Sequence, residues 1–486
     1  TTAAVAPANQ LYNGNIAGWS RQILKPKQAT GQAFEEQFTQ EQFRYDELNR
    51  LKSSTFRPLT GTANPAAYQT AYSYDANGNL QTLTRAGQTG SLIDNLSYRY
   101  NLASNNRLRG VGDATNNALG VVSQAAEDNY AYDEIGNLTA DQSDGSRLTW
   151  TVYGKVASVI KRDGSQRIAY EYDASGNRTV KRVETTNPTT NAVTTISTYY
   201  VRDAQGNVLS VYDNNRTPLL QKELYLYGSS RLGVARFNAG RLPLSEGTFT
   251  RSLNVREYEL TDHLSNVRAV IEDHREREPL SGTLRAALKS YYNYYAFGMQ
   301  MPGMKYESGA GSRYGYNGKE QDRDFANNYD YGFRIYNAGI GKFLSVDPLK
   351  GEYPELTPYQ FASNSPIESV DLDGLERMSY LDHLDAAGFL PFEMRISMGT
   401  FNYLVDWVTS DALAIREGMH NYADNELRHN DRNYDPGYSD NVPQSVQNMR
   451  HEAIKSQSQA KMAEGMAGMA DKTLGLAGLA LGGLEG

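Results

Sequence analysis

The sequence predicts a mainly β protein, with tyrosine-bearing hairpins wound into a curved sheet or partial shell and a small, mainly helical segment after it. Three observations carry this expectation. An irregular unit, typically Tyr-x-Tyr-Asp followed by Gly-Asn, recurs as far as residue 213. Tyrosine dominates the aromatics, with 35 Tyr against 14 Phe and 3 Trp, which suits a sheet with one packed and one wet face because the ring packs while the hydroxyl reaches a polar partner. Past Gly374 the alternation fades and helix-period patterns take over.

The repeats read "FRYDELNRL" at 43–51, "YSYDANGNLQTL" at 72–83, "YAYDEIGNLTA" at 130–140, "YEYDASGNRTV" at 170–180 and "YVRDAQGNVLSVYD" at 200–213. "YRYNLASNNRL" and "LTWTVYGKVASV" are worn copies with other turn residues. Each reads as strand, turn, strand. Alternation puts two rings, such as Tyr72 and Tyr74, on one face. Asp75, Asp133 and Asp173 open turns in which the carboxylate accepts backbone N–H bonds, and the following glycine supplies a position tolerant of positive φ. One carboxylate per unit is turn chemistry and not a calcium site, which needs several oxygens together. A single hairpin is marginal, whereas hairpins joined side by side bury the tyrosine face continuously.

From 222 to 345 the pattern stays β-like but less periodic. His263 beside Asp262 has the look of a catalytic pair, but with no nucleophile in view it reads as structural. "GYNGKEQDRDFANNYDYGFRIYNAGIGKFLSVDPL", residues 315–349, is either an active-site core or a sealing element. Beyond Gly374, helices are expected over 401–419 and from Pro443, with a polar loop over 428–441 between them. His420, His429, Asp431, Asp435, Asp440, His451 and Glu452 could make a metal-dependent nuclease or hydrolase site there, but their spacing fits no ligand pattern, so neither metal nor cofactor is expected.

Composition bounds the function. At 486 residues the chain can bury a large core, and length alone suggests two to four domains. A net charge of −8 with mixed signs gives no electrostatic case for nucleic-acid binding. The absence of cysteine removes disulfides and thiolate catalysis. No run of eighteen apolar residues exists, so no membrane-spanning helix is expected; the terminal "LGLAGLALGGLEG" is too short and glycine-rich. The start lacks Met and a basic-then-apolar leader, which suggests a portion of something longer.

The repeats resemble the YD repeats of bacterial RHS proteins, and the block from Tyr314 to Leu375 resembles the RHS repeat-associated core, in a style familiar from Bacteroidetes-like sequences. The matching words occur in order: "YLYGSSRLG" at 225–233, "LTDHLSNVRAVI" at 260–271, "YGYNGKEQD" at 314–322, "NYDYGFRIYNAGIGKFLSVDPL" at 328–349 and "PYQFASNSPIESVDLDGL" at 358–375. The resemblance implies a lead-in at 1–39, a β-sheet shell at 40–221, a core or plug at 222–375, and a variable segment at 376–486 carried as a toxin or other passenger. It further implies secretion or a cell-surface location, with the rest of a longer shell or delivery complex, and an immunity protein, as partners. In the related animal teneurins the same shell serves adhesion, so a surface or motility scaffold is the rival reading. Family members cut themselves with paired aspartates after the core. Carried over, this gives Asp347 with Asp371 and Asp373, and a cut between Leu375 and Glu376. Two departures stand out: "DPLKG" has one residue more than the usual DPxG before Gly351, and Gln360 follows Tyr359 where some relatives place an acid. The alternative is that "SPIESVDLDGL" is merely a turn handing the chain over to the variable segment.

Overall fold

The repeated aspartate builds the repeated turn. Asp75 Oδ1 accepts from the backbone N–H groups of Asn77 and Asn79 at 2.9 and 2.8 Å, while Oδ2 accepts from Asn79 Nδ2 at 3.0 Å. The same arrangement recurs at Asp173–Asn177, Asp203–Asn207 and Asp262–Asn266. Gly78 and Gly176 sit at φ 78° and 79°, and Ser265 holds the corresponding position at φ 61°.

The computed structural model describes residues 15–26, 34–58, 64–100, 106–115, 117–124, 128–214, 219–228, 230–241, 255–277, 284–309, 311–351, 356–375 and 377–379. The expected helices at 401–419 and after Pro443, and the histidine- and carboxylate-bearing residues from His420 to Glu452, lie outside the described residues. The chain divides into two units, Thr1–Pro348 with Glu355–Arg377, and Leu349–Pro354 with Met378–Gly486. The tyrosine repeats all lie in the first.

Most of these turns are stapled to the hairpin before them. The side chain immediately preceding the turn donates to a carbonyl at or just before the start of the neighbouring strand. Tyr45 donates to Ile16, Tyr74 to Leu51, Tyr100 to Leu80, Tyr172 to Val156, Tyr227 to Val208 and Tyr294 to Val267, all at 2.7 to 3.0 Å. Where tyrosine is missing the bond persists: Trp150 Nε1 donates to Leu138 at 2.7 Å, and Arg202 Nε donates to Arg178 at 3.0 Å. The second tyrosine of the repeat is therefore a clip that joins one unit to the next.

These units make two antiparallel meanders in which every strand pairs with its chain neighbours. A seven-stranded sheet runs from Gly18–Pro26 to Leu108–Asp113, and a fourteen-stranded sheet runs from Tyr130–Tyr132 to Gln300–Glu307. The pairing slips by one residue just before the turns, at Ser73/Tyr74, Arg99/Tyr100, Glu171/Tyr172 and Val201/Arg202 among others. A bulge bends and twists its strand, so bulges repeated at one end of successive strands curve the whole wall. The result is an open, curved, unclosed shell. Near the far end of the second sheet, Tyr295 donates to the Ala86 carbonyl at 2.7 Å, and Tyr68 donates to Pro302 at 3.0 Å.

The block after residue 307 folds onto this wall. Its own four-stranded sheet (Glu320–Asp322, Asn328–Asp330, Ile335–Asn337, Lys342–Phe343) surrounds an aromatic nucleus. Tyr336 stacks on Phe361 with centroids 4.2 Å apart, and Tyr331 meets Tyr336, Phe343 and Phe361 edge-on. This nucleus is continuous with wall residues Leu80, Leu83, Leu96, Val111 and Phe297 in one buried core. Among the described residues no helix is long and apolar enough to cross a membrane.

Candidate functional site

The core block seats on the turns of the wall. Asn364 Nδ2 donates to the Gly78 carbonyl at 2.8 Å, and Tyr359 donates to Gly136 at 2.8 Å. Tyr316 donates to Ala296 and Tyr336 to Phe297, while the Asn317 amide bonds Asn266 and Leu264. The hairpin turns thus serve twice, as bends in the wall and as the rim on which the block sits.

Buried charges hold the seat. Arg85 pairs with Asp94 at 2.9 Å, both fully buried, and its other nitrogen donates to the carbonyls of Ala338 and Gly339 in the block. Arg178 and Lys181 of one wall strand meet Asp322, Asp324 and Asp330, and Tyr170 donates to Asp322 at 2.7 Å. Burial alone would raise the Asp322 carboxyl, but Lys181 and Arg178 hold it below its ordinary value. Such pairs add modest net stability, yet removing one partner strands the other charge, which makes them strong determinants of how the block docks.

The sequence-selected aspartates converge on an arginine. Arg334 Nη2 lies 3.0 Å from Asp347 Oδ2 and 3.3 Å from Asp371 Oδ2, and all three side chains are buried. The two carboxylates therefore share one nitrogen. Arg334 Nε donates to the Gly374 carbonyl, its Nη1 reaches Pro358 at 3.4 Å, and its guanidinium stands 3.8 Å over the Phe343 ring. Asp371 Oδ1 accepts from Gly374 N–H at 2.5 Å, closing a tight turn just before Leu375. Burial pushes the Asp371 carboxyl up to about 7; Arg334 opposes this, while the charges of Asp373 and Asp347 add to it.

The other selected residues take distinct places. The carbonyl of Asp373 accepts from Phe333 N–H at 2.8 Å, so its backbone anchors the segment while its charge acts on Asp371. Leu375 is buried, and Glu376 lies outside the described residues. Gln360 turns its amide oxygen to Ser363 N–H within a local turn. His263 Nε2 pairs with the Ile367 carbonyl at 3.1 Å and its ring meets Trp19 edge-on, while Asp262 caps its own turn and pairs with Arg268. Sequence reasoning missed Arg334. It lies upstream of both aspartates in "YGFRIY", and an arginine flanked by aromatics in a segment otherwise turning inward was the available signal.

Repeated Tyr-Asp hairpins in a curved wall, with a core block seated on their turns, define a YD-repeat shell. Residues 23–216 match the Teneurin YD-shell family. The chain is 31% identical over 231 residues to Salivary gland surface protein 1 of Aedes aegypti, across 45% of this chain and 6% of that protein. It is 23% identical over 378 residues to Toxin subunit YenC2 of Yersinia entomophaga, across 70% and 34%. It is 26% identical over 336 residues to tRNA nuclease WapA of Bacillus subtilis (strain 168), across 68% and 12%. Among solved structures, the TcdB2-TccC3-Cdc42 complex aligns with 16% identity and a TM-score of 0.44, over 73% of this chain and 18% of that one. The chain thus carries a YD-repeat β-shell and is similar in sequence to the Yersinia entomophaga toxin subunits and to WapA. It spans at most 34% of the length of these curated relatives.

Proposed function

We propose that residues 40–221 wall, and residues 222–375 close, a β-shell that encloses and presents the segment from 376 onward as a toxin-like passenger, and that the chain cuts itself once between Leu375 and Glu376. The observation that carries the reading is the shared Arg334 nitrogen. It brings Asp347 and Asp371 together beside the turn that delivers Leu375. Two carboxyls held together, one of them raised by burial, can form the acid–base pair that peptide hydrolysis requires. In this scheme Asp371 gives its proton to the Leu375 carbonyl oxygen while Asp347 takes one from water. Water oxygen bonds to the carbonyl carbon, and the bond to the Glu376 nitrogen breaks as that nitrogen is protonated.

The same reading places the protein outside the cell or at its surface, with a core of the Bacteroidetes style. Its partners are the remainder of a longer shell or delivery complex and an immunity protein against the passenger. The test is the intact mass and denaturing gel of wild type beside Asp347→Ala and Asp371→Ala. Cleavage after residue 375 in wild type alone supports the scheme, and full-length wild type sinks it. The match to the Teneurin YD-shell family favours a second reading, a surface adhesion scaffold. Expression of 376–486 in a bacterial cytoplasm separates the two: growth arrest supports a toxic passenger, unimpaired growth the scaffold.

A further inference from the structure

A buried amine outside the aspartate site has no polar partner among the described residues. Lys342 lies in the last strand of the core block with 3% of its surface exposed. Its Nζ makes no hydrogen bond or ion pair to any described residue, and it stands 5.1 Å from the centre of the Tyr100 ring. A buried lysine is ordinarily paired, because an unpaired ammonium is costly to desolvate.

Its side chain lines a cavity of about 10 Å³, the room of roughly one water, at the meeting point of both sheets and the block. The other walls are Leu108, Leu138, Ile340, Leu344 and the rings of Phe343, Tyr130, Tyr132 and Tyr359. The tyrosine hydroxyls are engaged elsewhere: Tyr130 accepts from Gln124, Tyr359 donates to Gly136, and Tyr132 bonds the Leu108 backbone. The cavity therefore offers an apolar wall and one amine.

We propose that Lys342 is a covalent modification site for a one-carbon carbonyl compound, whose single added carbon matches the room of the cavity. In the reaction the Nζ lone pair attacks the carbonyl carbon and a C–N bond forms. Both Nζ protons pass to the carbonyl oxygen as the N–H bonds break, the oxygen leaves as water, and a neutral imine remains. An apolar cavity suits this product because neither reactant nor product carries charge. Desolvation in such a pocket is a recognised way of activating a lysine nucleophile. The environment keeps the amine available: burial lowers the Lys342 ammonium to about 7, with only Asp75 opposing. The titratable and charged groups around it are Asp75 and Tyr100 from the first sheet, Tyr130 and Tyr132 from the second, and Tyr359 from the block. Arg107 and Asp133 lie behind Tyr359.

The test treats the full chain with formaldehyde and cyanoborohydride, which reduces the imine to a stable N-methyl group, and follows each lysine by peptide mass spectrometry from pH 6 to 10. The expected result is that at pH 7 Lys342 is labelled about tenfold or more faster than exposed lysines, whose ordinary value is near 10.4. Its rate should rise with a midpoint near 7. Labelling of Lys342 no faster than the exposed lysines, or with a midpoint near theirs, overturns the proposal. The pH profile is read on the unaltered protein, so it does not depend on any variant folding.

Discussion

Arg334 and Asp371 are joined twice. Nη2 of the arginine lies 3.3 Å from the Asp371 carboxylate, and its Nε holds the carbonyl of Gly374, whose own N–H is bound by that carboxylate. A side chain from the middle of the core block thus fixes both the acid and the backbone leading to Leu375. The planar fork of a guanidinium can do this, whereas the single ammonium of a lysine cannot.

Replacing Arg334 should accordingly cost more than the loss of one ion pair. Arg334→Met leaves Asp347 and Asp371 buried without their cation, and breaking a buried pair in this way costs about 3–5 kcal/mol. Chemical denaturation should show that loss. A triple variant that also carries Asp347→Asn and Asp371→Asn should recover much of it. If the triple variant is no more stable than Arg334→Met, the carboxylates are not what Arg334 neutralises.

The raised Asp371 carboxyl makes a signed prediction about pH. Its folded value of about 7 lies above the ordinary value of 3.8, so between those limits the folded state holds a proton that the unfolded state has released. Stability from this group is therefore fully present below pH 3.8, falls as pH rises towards 7, and is constant above that. Relative to Asp371→Asn, wild type should lose stability progressively between about pH 4 and pH 7. Denaturation midpoints of the two proteins that run parallel across this window would show that Asp371 titrates normally.

The staple along the wall can be tested by chemistry the sequence itself has tried. Tyr172→Phe keeps the ring but loses the bond to the Val156 carbonyl, and should cost about 1 kcal/mol. At Arg202, where a guanidinium makes the equivalent bond to Arg178, Arg202→Tyr should retain more stability than Arg202→Ala. Equal losses for both Arg202 variants would show that the bond to the preceding strand contributes nothing.

Much of this architecture was legible because it is local. Asp and Gly-Asn announce turns within five residues, and alternating tyrosines announce a strand face, so the hairpins and the curved wall could be read directly. The Tyr314–Leu375 segment was legible as a unit through its quoted motifs, and it marked Asp347 and Asp371. Contacts between distant strands were not legible. Trp150 and Arg202 do the work of tyrosine by different chemistry, and no pattern of residue types reveals that they donate to the same carbonyl position. Arg334 and Lys342 look alike as cations in an aromatic stretch. One proves to be saturated by carboxylates and carbonyls, and the other faces an apolar cavity.

The seat of the block on the wall turns should be most sensitive at Gly136. That residue has φ 98°, and a Cβ there would lie 2.4 Å from Val346 Cγ2 and 2.8 Å from the Tyr359 hydroxyl that bonds its carbonyl. Gly78 occupies the matching place in an earlier turn at φ 78°, but a Cβ there would meet only Asn364 Nδ2, at an ordinary 3.4 Å. Gly78→Ala should therefore cost only the backbone strain of a left-handed alanine, about 1–2 kcal/mol. Gly136→Ala adds overpacking of about 1–3 kcal/mol and forces Tyr359 off the turn. Hydrogen exchange should then show faster opening around residues 343–347 and 357–361 in Gly136→Ala but not in Gly78→Ala. If both variants exchange alike there, the turns bend the wall without carrying the block.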